Sequence, residues 1–146
     1  MAAVKAVIDT NIWVSSLLNP FGFPSQLREA FTKGAFHAVI SEPMLSELAD
    51  VLSRPRIKDK YGLTDTNIQE LLILIEERSE HVLLDENIAI CRDKDDNLVI
   101  ETAIKGKATY LISRDDDIKF DDKVVSFLAQ YGITVASIAK FLSLIK

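Results

Sequence analysis

Apolar residues in this chain come in short blocks with two alternating periods. Residues 4–8 (VKAVI), 36–40 (FHAVI), 108–113 (ATYLIS) and 133–137 (ITVAS) are compact runs rich in β-branched side chains, the pattern of buried strands. HVLLD, at 81–85, is a weaker fifth candidate. Between them the pattern changes to one apolar face in every 3.6 residues. NIWVSSLL predicts a short helix stopped at Asn19-Pro20, because proline disfavours helix at the residue before it. A second helix follows, with Pro24 near its start and Gly34 just past its end. A third runs from a Ser41 N-cap through Pro43 to Ser53.

RPRIKDKYG (54–62) reads as a basic connector. The next helix, TDTNIQELLILIEERSE, is capped by Thr64 or Asp65, and another begins in DDNLVIETAIKGK and ends at Gly106. KVVSFLAQYG fits strand or helix, and IAKFLSLI predicts a terminal helix. Strands that alternate with helices make a mainly parallel sheet covered on both faces. The expected fold is therefore a three-layer α/β/α domain spanning residues 1–146.

Composition narrows the setting. Of 146 residues, 48% are hydrophobic and 27% charged, which supports a packed core and argues against disorder. No apolar run is long enough for a membrane helix, and the start is not that of a signal peptide, so no membrane role is expected. A lone Cys91 cannot form an internal disulfide and suits a reducing cytoplasm. The net charge of −5 argues against a broad nucleic-acid-coating surface.

The acids nevertheless cluster. CRDKDDN and SRDDDIKFDDK hold eight aspartates, and Asp9 closes the first strand. In an open parallel sheet, ligands bind beyond the carboxyl ends of the strands. Asp9 and Asp115 would both emerge there, although Asp9 alone is more simply a helix N-cap and Asp115 a solvated loop acid. Glu47 falls just outside the apolar arc of Met44, Leu45, Leu48, Ala49, Val51 and Leu52, at the boundary from which a side chain reaches a cleft rim; an exposed helical glutamate is the simpler reading. One of Asp93, Asp95 and Asp96 caps the following helix. Several acids without a nearby base suit a hard divalent cation and metal-activated water. Other chemistries lack their signatures. There is no phosphate-binding glycine loop, His37 and His81 lack ligand spacing, and Cys91 has no histidine partner. DTN is not the DxD of a haloacid-dehalogenase-like phosphatase, and no lysine sits where a receiver domain needs one.

Taken in order, VIDTNIWVSSLL, SEPMLSELADVLSRP, CRDKDDNLVIETAIKGKATYLIS and SRDDDI resemble a PIN domain. The likeness is greatest to the branch of bacterial and archaeal toxin–antitoxin toxins related to VapC. The resemblance covers nearly the whole chain. It implies a metal-dependent, single-strand-type endoribonuclease using Mg²⁺ or Mn²⁺. Asp9, Glu47, Asp96 and Asp115 would be the catalytic metal ligands, Asp117 would assist, and Asn11 and Ser113 would orient the first and last acids. Asp96 is chosen over Asp93 and Asp95 by its spacing to GKATYLIS. Leu98 departs from the bulkier charged residue common in this branch. Arg54, Arg56, Lys58 and Lys60, directly after the helix bearing Glu47, are candidate RNA contacts, with Arg114 beside the acids; a solvated connector is the simpler reading. An antitoxin partner and a homodimer are implied too, with Trp13, Phe21 and Phe23 as a candidate surface, although core packing is the simpler use of these rings. The alternative is a catalytically silent PIN-fold interaction module.

Overall fold

A computed structural model describes residues 4–85, 94–113 and 122–145. Five strands form one sheet: β1 (Lys5–Ile8), β2 (His37–Ser41), β3 (Glu80–Val82), β4 (Tyr110–Ile112) and β5 (Thr134–Ala136). Every pairing is parallel and the order is β3-β2-β1-β4-β5. The chain steps outward from β1 to β3, returns across the sheet, and continues from β4 to β5. β1 is thus the strand at which the winding reverses, the place where such sheets open a crevice at their carboxyl edge.

Helices α1 (Thr10–Leu18) and α2 (Phe23–Thr32) join β1 to β2, and α3 (Glu42–Ser53), α4 (Pro55–Lys58) and α5 (Asp65–Arg78) join β2 to β3. α6 (Lys94–Lys105) precedes β4, α7 (Asp122–Ala129) precedes β5, and α8 (Ile138–Leu144) ends the described chain. Right-handed crossovers put α1–α5 on one face and α6–α7 on the other, giving the three-layer α/β/α architecture. The residues 122–129, equally fit for strand or helix by pattern, are helical. The basic connector contains a one-turn helix that begins at Pro55, a residue whose fixed φ suits a first turn.

Ala6, Val7, Ile8, Leu111 and Ile112 are essentially inaccessible, so the middle strands carry the centre of the core. One face is completed by a chain of rings: Trp13 on Phe31 at 5.3 Å, Phe31 on Phe36 at 5.7 Å, and Phe36 on Phe141 at 5.1 Å. The first and third pairs meet edge to face and the second is tilted; aromatic pairs contribute about 0.5–1.5 kcal/mol beyond the area they bury. Trp13 is therefore a core residue, while Phe21 and Phe23 remain at the surface. Gly34 adopts φ 79° just past α2, where a left-handed residue ends the helix and sends the chain into β2.

Candidate active site

The register of the sheet builds the centre of the site. Ile8 of β1 pairs with Ile112 of β4, and the Asp9 amide continues the ladder by donating to the Ile112 carbonyl at 3.0 Å. The next residues, Asp9 and Ser113, consequently leave the carboxyl edge side by side. Ser113 Oγ donates to Asp9 Oδ2 at 3.0 Å. Both are buried, with Asp9 6% exposed and Ser113 fully inaccessible. A carboxylate taken out of water needs such donors, since an uncompensated one costs several kcal/mol.

Asp9 occupies the N-cap position of α1, yet its side chain makes no capping bond. The simpler N-cap reading therefore gives way: the carboxylate is held by Ser113, just past β4, and by the Thr10 hydroxyl. Thr10, the first residue of α1 and 3% exposed, sits between two acids. Its Oγ1 lies 3.5 Å from Asp9 Oδ1 and 3.3 Å from Glu47 Oε1. One hydroxyl proton serves two carboxylates, and both contacts are long for O–H···O bonds. α3 directs Glu47 inward because Met44, Leu48 and Leu52 bury its apolar stripe and leave Glu47 at the stripe's half-buried margin. Thr10 was not among the sequence candidates. Its signal is position: a hydroxyl directly after a strand-ending acid.

Asp96 lies in the first turn of α6, followed by the buried Val99, Ile100 and Ala103 on the same side of the helix, and is itself only 6% exposed. α6 packs against β1, β2 and β4. As a crossover helix it runs antiparallel to the strands, which sets its first turn toward their carboxyl edge. Hydroxyls tie it there. Thr102 Oγ1 donates to the Leu98 carbonyl at 2.7 Å, so the 2.8 Å contact with Ser41 must use the Ser41 proton. Ser41 was expected to cap α3; its side chain makes no cap bond and reaches Thr102 instead. Glu101, 3% exposed and also unforeseen, accepts from the Asp85 amide at 2.5 Å, and Lys105 one turn later pairs with the Asp85 carboxylate. That hydrogen bond, reinforced by the Asp85 charge, raises the Lys105 pKa above its ordinary 10.5.

Asp93, Arg114, Asp115 and Asp117 lie outside the described residues, as does the side chain of Asp95. Among the described residues no three His, Cys, Asp or Glu side chains are grouped to hold a metal ion. Asn11 is exposed and no side-chain hydrogen bond joins it to another described residue, while Ser113 donates to Asp9. Of the candidate RNA-binding cations, Arg54 pairs with Asp50 at 2.8 Å and Lys58 with Asp65. Arg56 and Lys60 are exposed and have no acidic partner among the described residues.

Residues 5–117 match the family model of the PIN domain. The chain belongs to the PIN-domain family. An uncharacterized protein of Methanocaldococcus jannaschii is similar to it, 29% identical over 120 residues that cover 82% of this chain and 77% of that one. PIN domains are generally nucleases, hydrolases of nucleic acid that use divalent metals, and this chain carries that nuclease fold. No helix among the described residues is long and apolar enough to cross a membrane.

Proposed function

We propose that this PIN domain is a divalent-metal-dependent endoribonuclease acting on single-stranded RNA, and the toxin component of a toxin–antitoxin pair. The observation that carries the catalytic part is the Asp9 carboxylate, buried at the reversal strand, fixed by Ser113 and joined through Thr10 to Glu47. Hard oxygen donors of this kind suit hard divalent cations such as Mg²⁺ or Mn²⁺. Asp9, Glu47, Asp96 and Asp115 would hold the ion, with Asp117 assisting through water. The ion, when bound, supplies Lewis acidity and a water acidic enough to attack a phosphodiester.

The chain's own residues do the rest. Ser113 keeps Asp9 in one rotamer, so the ligand is preorganised before a cation arrives. Thr10 holds Glu47 toward the same point. The buried setting of Asp9 and Asp96 excludes bulk water from two of the four acids. Arg56, Lys60 and Arg114 are the cations that would meet phosphates, since Arg54 and Lys58 already have acidic partners. An antitoxin protein and a second copy of the chain are the proposed partners, in the cytoplasm.

The test is cleavage of a mixed set of labelled RNAs, with and without Mn²⁺ or Mg²⁺, by wild type and Asp9→Asn side by side. Metal-dependent cutting that falls to background in Asp9→Asn is expected. Equal cutting by the two proteins would refute the proposal.

A further inference from the structure

We infer that the cleft between the α1–α2 turn and the loop after α4 is a nucleobase-stacking subsite for single-stranded RNA. This inference rests on the endoribonuclease reading and specifies how its substrate is gripped. The cleft has a volume of about 470 Å³ and is lined by Ser15, Leu18, Asn19, Phe23, Tyr61 and Ile138. Two of these are aromatic rings left half in solvent, Phe23 at 51% and Tyr61 at 44% exposure, and Phe21 stands almost fully exposed on the adjoining turn. Such rings are platforms on which bases stack whatever their identity.

Charge selects RNA over a protein segment as the occupant. Lys60 Nζ lies 5.4 Å from the Tyr61 ring centroid, which puts a cation at the rim of the cleft itself. Arg56 is exposed one turn earlier. The two cations between and before them, Lys58 and Arg54, are neutralised by Asp65 and Asp50. Set against the exposed Asp59 between them, Arg56 and Lys60 leave a positive balance in the segment that bears Tyr61, as a strand with stacked bases and an outer phosphate backbone requires.

The turn is also built to present one polar edge. Asn19 Oδ1 accepts from the Phe21 amide at 3.0 Å, which fixes the side-chain amide so that Nδ2 is the group left to donate to a base carbonyl. A Cβ at Gly22 would lie 3.0 Å from that Nδ2, so a larger residue there would push the amide aside by a few tenths of an ångström. Position relative to the acids is set by α1: Ser15 lies six residues beyond Asp9, about 9 Å of helix rise. A strand crossing Asp9 and Glu47 would follow α1 over that rise, and part of the way round it, to place a base in the cleft.

The experiment is anisotropy binding of fluorescein-labelled oligouridylate, and of an abasic strand of the same length, to the full chain in EDTA so that nothing is cut. Wild type should bind the base-bearing strand about 5- to 100-fold more tightly. Tyr61→Leu and Phe23→Leu, each checked for an unchanged melting temperature, should reduce that binding toward the abasic level without altering its salt dependence. Arg56→Gln with Lys60→Gln should flatten the salt dependence for both strands. Equal affinity of wild type for the two strands, absent binding of both, or unchanged binding by both leucine variants would overturn the subsite. Metal-dependent cleavage that persisted alongside any of those results would leave the nuclease standing and hand the cleft to a protein partner.

Discussion

The carboxyl edge of β1 and β4 and the basic stretch 54–61 both gather charge, but by opposite means. Asp9 is fixed by a residue 104 positions away, because parallel pairing of β1 with β4 brings Ser113 alongside it. Arg54, just past the end of α3, is fixed by Asp50 four residues back, and Lys58 by Asp65 seven residues on. The first arrangement is buried, unique and coupled to the whole sheet; the second is solvated and replaceable. A charged side chain placed by long-range backbone pairing has one geometry, which catalysis needs. One placed by a neighbouring acid has many, and only the cations left without such a neighbour remain available to a polyanion.

Substitutions can break this contrast, and the largest effect falls on the sheet-determined side. Ser113→Ala removes a donor from a buried carboxylate and should cost about 1–3 kcal/mol. Thermal unfolding should register it at about 2–4 °C per kcal/mol, with Ser113→Thr restoring most of the loss. An unchanged melting temperature would mean that Asp9 does not depend on β4. Thr10→Val keeps the shape and loses the shared hydroxyl. Its stability cost should be about 1 kcal/mol or less, since both contacts are long, whereas stabilisation by Mn²⁺ should weaken clearly. Equal Mn²⁺ response in wild type and Thr10→Val would remove Thr10 from the site.

On the locally determined side the effects shrink. Asp50→Asn should change stability by less than about 1 kcal/mol, as exposed i,i+4 pairs do, while freeing Arg54 and strengthening RNA binding slightly at low salt. The smallest effect belongs to Lys105. Its pKa is raised in the folded protein by Asp85, so its contribution is complete below about pH 10.5 and fades as pH rises through the folded value. Lys105→Met should therefore flatten the alkaline limb of the stability profile and leave the neutral region nearly unchanged.

Much of this was readable from the chain, for identifiable reasons. The β1 and β4 runs are continuous apolar blocks because both faces are covered, and their ends predicted where Asp9 would emerge. Pro20, Pro24 and Gly34 bounded helices where the structure bounds them, because proline and glycine act through local backbone sterics. Glu47 was legible as a boundary residue of an amphipathic helix. Thr10, Ser41 and Glu101 were not, since their roles depend on partners 37, 61 and 16 residues distant, and a hydroxyl carries no sequence mark of the acid it serves. The connector at 54–62 looked like one basic patch; pairing with Asp50 and Asp65 divides it into engaged and available cations.

The central claim is that acids brought together by sheet register hold a divalent cation. Its most direct test is thermal unfolding of wild type and Asp9→Asn over a Mn²⁺ titration. Wild type should rise in melting temperature with Mn²⁺, gaining about 2.7 kcal/mol at a concentration 100 times the Kd, and Asp9→Asn should stay nearly flat. Two flat titrations, or two that rise together, would contradict the account.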